Sequence, residues 1–314
     1  MKVVVFNYHS IYAPRDETNY TRSGKIFEHP RWKAFDSRFV APMRANLRSS
    51  LERFKALGAE SILEIGPGGG SGSDIALSQG IRKIDLVEVN PTTVAYLEEK
   101  YANIRDAGSM VLHNGDVRDV LPHIPDKSKD ICLIFDNTLS NMQEPTAALD
   151  GVGYDFRVPV LKELLRIARK AVLVGVSDVA ISDIFLEVFR DKVSFTTPDK
   201  KTSICSDGMV TKRYSRKDFE RLLSETGFPL DYTICRDKDI YWCEVRELTE
   251  TKIKSRKSQI AFKIAIGLTL SGMVSFCSGH SPPPELATLR ESVSPIENVG
   301  GRSFDAAQEI EIHD

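Results

Sequence analysis

Cysteine is scarce in this chain, and its few cysteines are not spaced to act together. Cys132, Cys205, Cys235, Cys243 and Cys277 are odd in number and form no C-x-x-C pair. That spacing argues against a structural zinc site or a disulfide framework and for a reducing, cytoplasmic setting. An excess of either charge is missing too: 42 Lys and Arg stand against 44 Asp and Glu, a formal net charge of −2. A dedicated nucleic-acid binder carries a basic face, so no nucleic acid is expected as a partner. There is no internal repeat, and the apolar start Val3-Val4-Val5-Phe6 is too short for a signal peptide. His113 and His123 lack Cys or carboxylate neighbours at ligand spacing, so no metal is expected. A single long apolar run begins at Ile260 and ends at Cys277, broken by Lys263 and preceded by Lys252, Lys254, Arg256 and Lys257. One reading is a membrane helix, with Lys263 snorkelling and the basic cluster on the cytoplasmic side. The other is a helix packed on the rest of the chain or on a partner, because Gly267, Gly272 and several Ser and Thr residues dilute it.

What is present is ordinary for a globular protein: 314 residues, 41% hydrophobic and 27% charged. That length holds one large domain with extensions. Residues 8–30 are polar and aromatic without a period and read as a loop-rich extension. Phe35, Phe39, Met43, Leu47, Leu51, Phe54 and Leu57 then recur at helical spacing, and Gly58 supplies the stop. Strand signals follow at 61–65, 83–89, 109–113, 130–135 and 171–176. Helix signals alternate with them at 73–79, 92–103 and 156–169. Apolar strands separated by helices predict an α/β fold, a doubly wound, mostly parallel sheet covered on both faces. A further helix is expected at 179–190, a polar mobile loop over 196–212, and a helix starting at Ser215. Two β runs flanking Arg236-Asp237-Lys238-Asp239 predict a closing antiparallel hairpin, for seven strands in all. The expected organisation is a 1–57 extension and helix, a 58–248 domain, and a 249–314 basic linker, hydrophobic segment and acidic tail.

The most informative stretch is Glu64-Ile65-Gly66-Pro67-Gly68-Gly69-Gly70-Ser71-Gly72-Ser73, where an apolar strand ends in a glycine-rich turn before a helix. Glycine lets a ligand approach the backbone closely, and a helix start offers unpaired N–H groups. Glu64, Glu88 and Asp116 stand at the ends of successive predicted strands. Ligands of doubly wound sheets bind at those ends, and a carboxylate there can accept both hydroxyls of a ribose. Glu64 has a second reading, as a cap or a partner for loop amides. The G-x-G-x-x-G register of dinucleotide sites fails, since Ser71 or Ser73 occupies the last position, and no Gly-Lys-Ser/Thr follows for a P-loop.

This constellation resembles the class I S-adenosylmethionine-dependent methyltransferases over most of the chain, roughly from Phe35 to Leu248. Glu64, Gly66, Gly68 and Gly70 match their glycine motif, Glu88 their second-strand acid and Asp116 their third-strand Asp. The stretch Phe135-Asp136-Asn137-Thr138-Leu139-Ser140-Asn141 looks like their fourth-strand motif. The resemblance implies a Rossmann-like domain with S-adenosyl-L-methionine as cofactor and a small-molecule acceptor. It implies that Glu64, Gly66, Gly68, Gly70, Glu88, Val89, Asp116, Val117 and Asp136 bind the cofactor. Asn137, which otherwise only closes a turn, and Tyr20 are the catalytic candidates. Tyr154, Asp155 and His29 are the candidates for the acceptor pocket. The chain departs from the family pattern in lacking a Pro-Gly-Gly turn before strand five and in carrying Asp136 where many small-molecule relatives have Gly. No Asp-Pro-Pro-Tyr follows strand four, so methylation of nucleic-acid bases gains no support. Two alternatives stay open. One is transfer of another alkyl arm of the cofactor, or its internal cyclisation, although the Asp-x-x-Asp-Pro signature of polyamine synthases is absent. The other is a non-catalytic adenosine-binding scaffold.

Overall fold

Strands with both faces apolar must be covered on both sides, and the computed structural model shows how this is done. It describes residues 32–135, 138–142, 155–190, 193–205 and 210–247. Helical turns α1 (Trp32–Phe35) and a π-helical stretch (Asp36–Val40) lead into α2 (Ala41–Ala56). The α/β alternation follows as β1 (Ser61–Ile65), α3 (Ser71–Ser78), β2 (Lys83–Glu88), α4 (Pro91–Lys100), α5 (Ala102–Asp106), β3 (Met110–Asn114), α6 (Val117–Val120) and β4 (Lys129–Ile134). Then come α7 (Arg157–Ile167), β5 (Ala168–Ser177), α8 (Ser182–Val188), β6 (Val193–Thr196), β7 (Thr202–Cys205) and β8 (Val210–Lys212). The last elements are α9 (Arg216–Ser224), β9 (Leu230–Asp237) and β10 (Ile240–Glu247). The chain divides into two units, Met1–Glu250 and Thr251–Asp314, and every described residue belongs to the first.

The large sheet has seven strands in the order β3-β2-β1-β4-β5-β10-β9. Pairing is parallel from β3 through β5, and β10 runs antiparallel to both neighbours. The predicted α/β sheet is therefore present. Alternate residues of one strand serve opposite layers: Leu63 and Cys132 pack with Leu161, Leu164 and Phe219, while Ile62 and Leu133 pack with Met43, Leu47 and Leu97. Strand order reverses between β1 and β4, and in doubly wound sheets the carboxyl ends of the strands at such a reversal are where ligands bind.

Helix α2 is anchored to the antiparallel edge by polar contacts as well as by its apolar stripe. Ser50 Oγ donates to Glu244 at 2.8 Å and accepts from Trp242 Nε1 at 2.9 Å, and Arg53 pairs with the same carboxylate. Met43 lies over Gly175, where any Cβ would come within 2.1 Å of its sulfur.

The expected loop over 196–212 is corrected: β6, β7 and β8 form a separate three-stranded antiparallel sheet. Its β-branched residues, Thr196, Thr202, Ile204, Val210 and Thr211, suit strands. The apolar/polar alternation that signals a strand is missing because one buried face is itself polar, with Ser203, Thr211 and Arg213 enclosed. The predicted helix at 92–103 is interrupted at Tyr101, and β5 starts at Ala168 where helix was expected. Among the described residues no helix is long and apolar enough to cross a membrane and no group suits a metal ion. Residues 260–277 lie outside them.

Helix α9 begins with a capping box. The Ser215 hydroxyl donates to Asp218 at 2.6 Å and accepts from the Asp218 amide, and Lys201 Nζ joins at 2.9 Å. Burial alone pushes the Asp218 carboxyl up, but these bonds bring it from 3.8 down to about 2. A depressed carboxyl contributes stability that is present above its unfolded pKa and is lost as pH falls through its folded one. Acid titration of the wild type between pH 4 and pH 2 is therefore expected to lose about 1 kcal/mol, after solvent screening, that Asp218→Asn does not lose. Urea melts at stepped pH measure this difference.

Candidate functional site

Backbone geometry builds the first wall of the crevice. Gly66, Gly68 and Gly70 all take positive φ, at 61°, 52° and 81°. After β1 the chain makes one more strand-like bond, from the Gly66 amide to the Val87 carbonyl at 2.9 Å, and then turns. Two close approaches make glycine necessary as well as convenient. A Cβ on Gly66 would stand 2.5 Å from Thr138 Cγ2, and one on Gly70 2.3 Å from the Tyr101 hydroxyl. Tyr101 lies within 2.8 Å of the Gly70 carbonyl and 2.7 Å of Asp74. Lys100 Nζ reaches the Gly69 carbonyl at 2.8 Å and the same Asp74 at 2.7 Å. The loop is clamped from behind by Lys100, Tyr101 and Asp74, none of which stood out in the sequence. The signal available was the predicted helix that carries the first two.

Glu64 lies beneath this loop and is 1% exposed. One oxygen accepts from the Ser73 hydroxyl, and the other lies so close to Gly72 that a Cβ there would come within 2.2 Å. The carboxylate is thus packed against the first turn of α3. Glu88, at the end of β2, is buried and accepts from the Asn90 amide at 2.9 Å, and Asn90 caps α4. Val89 continues the backbone between them. The three strand ends carrying Glu64, Glu88 and Asp116 lie side by side, since β3, β2 and β1 are adjacent.

Asp116 caps α6, in which Val117 is buried. It accepts from the Arg118 amide at 2.8 Å and takes the Arg118 guanidinium in a fork at 2.9 and 2.6 Å. The same device recurs at Asp155. That carboxylate accepts from the Arg157 amide at 3.1 Å and from Arg157 Nε at 2.8 Å, with Nη2 completing the fork. The two D-x-R turns approach each other, because the Arg118 guanidinium lies 5.1 Å from the centre of the Phe156 ring. Both turns were written in the sequence, as Asp116-Val117-Arg118 and Asp155-Phe156-Arg157, but only the acids were singled out.

Arg157 is buried and also donates to the Tyr214 hydroxyl at 2.8 Å, which bonds Ser140 in the turn after β4. Burial works against the Arg157 charge, yet Asp155 and Tyr214 more than restore it, so its pKa stands above the ordinary value. Burial likewise pushes Asp155 up, and the Arg157 fork outweighs it and holds the carboxyl below the usual range. Burial, then the Arg157 charge, lowers Lys212 on the neighbouring β8. Removing one partner of a buried pair strands the other. Arg157→Ala is expected to cost about 3 kcal/mol in urea-monitored stability, and Asp155→Ala less because that side chain faces solvent more.

Of the predicted site residues, the structure gathers Glu64, Gly66, Gly68, Gly70, Glu88, Val89, Asp116 and Val117 around the carboxyl ends of β1, β2 and β3. Asp155 joins that group at its Asp116 end, where Phe156 meets the Arg118 guanidinium, and its partner Arg157 reaches Tyr214. Asp136, Asn137, Tyr154, Tyr20 and His29 lie outside the described residues. Thr138, which follows Asn137, touches the glycine loop through a 3.3 Å bond from its hydroxyl to the Gly66 carbonyl.

No protein-family model and no curated protein matches this chain. Among solved structures it is similar to the CcbJ methyltransferase from Streptomyces caelestis, at 14% identity and a TM-score of 0.49, over 65% of this chain and 90% of that one. It is also similar to an S-adenosylmethionine-dependent methyltransferase from Clostridium acetobutylicum ATCC 824, at 12% identity and a TM-score of 0.47, over 74% and 100% of the two chains. A third similar structure is magnesium protoporphyrin IX methyltransferase from Synechocystis PCC 6803 with bound SAH, at 14% identity and a TM-score of 0.46, over 73% and 95%.

Proposed function

We propose that this chain binds S-adenosyl-L-methionine in the crevice between β1 and β4 and transfers its methyl group to a small-molecule acceptor. One observation carries the reading. A glycine loop in left-handed backbone follows β1 at the topological switch point of the large sheet, and acids stand at the ends of the next two strands, Glu88 after β2 and Asp116 after β3. The residues fit such a group. A Cβ on Gly69 would meet nothing within 4 Å, so the loop is open there. Glu88 places a buried carboxylate, an acceptor-only group, at the end of β2.

Bound there, S-adenosylmethionine supplies an electrophilic sulfonium methyl. The chain's contribution is placement and exclusion of water. Glu88 is assigned to the ribose hydroxyls and the loop amides to the methionine end. Asp116, already committed to Arg118, is assigned to the adenine side together with Val117, and Val89 to the floor beside the ribose. Glu64 supports the loop from below. Asp136 is proposed to line the methionine end, and Asn137 and Tyr20 to orient the acceptor. Tyr154, Asp155 and His29 are proposed to bound the acceptor pocket, with Asp155 acting through its pair with Arg157.

Incubation of the purified full-length chain with S-adenosylmethionine and a panel of amine, hydroxyl and carboxyl acceptors tests the reading. S-adenosylhomocysteine as the product supports methyl transfer. Methylthioadenosine replaces it with a different alkyl transfer, and tight binding without any product leaves an adenosine-binding scaffold.

A further inference from the structure

The small sheet encloses a cation that the described chain does not neutralise. Arg213, just beyond β8, is fully buried. Its Nε donates to the Lys200 carbonyl at 2.8 Å and its Nη2 to Ser203 Oγ at 2.7 Å, while its guanidinium stacks 4.8 Å from the centre of Phe185. Nη1 is buried and has no hydrogen-bond partner. Burial draws the group down to about 10, which leaves it charged at neutral pH. Asp199, whose charge it senses, is committed to the Thr197 hydroxyl at 2.6 Å and the Lys201 amide at 3.1 Å.

Two arginines near the crevice have their own acid two residues earlier, Asp116 for Arg118 and Asp155 for Arg157. At the equivalent place Arg213 has Thr211. Thr196, Ser203 and Thr211 are cross-strand neighbours and share one face. Thr196 and Ser203 hydroxyls lie 3.0 Å apart, and Thr211 Oγ1 is 3.5 Å from Asn141 Oδ1 in the turn after β4. A row of hydroxyls thus runs from the buried guanidinium toward the acceptor side of the crevice. A buried charge without a partner is strongly unfavourable, so the missing charge points to a ligand.

We propose that Arg213 docks a carboxylate of the methyl acceptor, with Nη1 donating to it and the Ser203 and Thr211 hydroxyls beside it. This rests on the acceptor-side reading above and narrows it to carboxylate-bearing acceptors. The Nε–Nη2 edge is already used, so one N–H₂ group and one positive charge remain for the ligand. A single negative charge matches that, whereas a phosphate monoester brings nearly two. Because Arg213 is fully buried, entry of the carboxylate requires the small sheet to part from the β4 turn. Its described backbone links to the large sheet converge on Tyr214, through bonds to Ser177 at 2.8 Å and from Val179 at 3.0 Å.

The test is thermal unfolding of the full-length chain in acetate, succinate or benzoate, with inorganic phosphate, succinamide and sodium chloride at matched ionic strength as controls. The wild type is expected to gain stability with at least one carboxylate and not with the controls. Arg213→Met is expected to match or exceed the wild type without carboxylate, because an unpaired buried charge is gone, and to lose the carboxylate response. Arg213→Lys, which keeps the charge but not the fork, is expected to weaken that response about tenfold or more. Absence of a carboxylate response in the wild type, an equal response in both variants, or an equal response to phosphate overturns the proposal. Calorimetry with S-adenosylhomocysteine on the same proteins reads the cofactor site separately, so either reading can fail alone.

Discussion

Glu88→Ala is expected to weaken S-adenosylmethionine binding about a hundredfold or more, because two charge-assisted hydrogen bonds to a ribose are lost at roughly 1.5–3 kcal/mol each. The side chain is buried and its strand end faces the crevice, so no exposed group stands ready to replace it. Calorimetric titration measures the change directly. Glu88→Gln is the sharper companion: it keeps the volume and one acceptor, and it is expected to recover part of the affinity. Affinity unchanged in Glu88→Ala would remove the ribose assignment and with it the placement of the whole cofactor. Loss of the fold is distinguishable, since Glu88 also holds the Asn90 amide at 2.9 Å and the melting temperature reports on that contact separately.

Gly70→Ala is the second large effect. The residue sits at φ 81°, where a Cβ costs about 1–2 kcal/mol. The same Cβ would stand 2.3 Å from the Tyr101 hydroxyl, which is buried and tied to Asp74. Overpacking adds about 1–3 kcal/mol. The expected total is about 3 kcal/mol and a fall in melting temperature of about 10 °C, with cofactor affinity lost as the loop is displaced. A double-mutant cycle with Tyr101→Phe isolates the clash. Removing the hydroxyl forfeits about 1 kcal/mol of hydrogen bonding, yet it opens the space the new methyl needs. Gly70→Ala is therefore expected to cost less in the Tyr101→Phe background than in the wild type. Equal costs would mean that Tyr101 moves aside freely and that backbone strain alone makes glycine necessary at Gly70.

The sequence by itself determined what depends on near neighbours along the chain. The apolar runs mark the central strands, and the strand expected at 61–65 is β1, Ser61–Ile65. Ser215 marks the start of α9, and the glycine turn with Glu64, Glu88 and Asp116 marks the expected ligand edge. Tertiary structure decided what those neighbours cannot see. Whether an acid faces a ligand or its own arginine depends on side-chain torsions, which is how Asp116 and Asp155 come to be held by Arg118 and Arg157. The small sheet was illegible because its enclosed face is polar, and hydrophobic alternation is blind to a strand that buries Ser203, Thr211 and Arg213. Long-range contacts alone, such as Tyr101 behind Gly70 and Thr138 against Gly66, turn glycines that were merely permissive in the sequence into glycines that the packing requires.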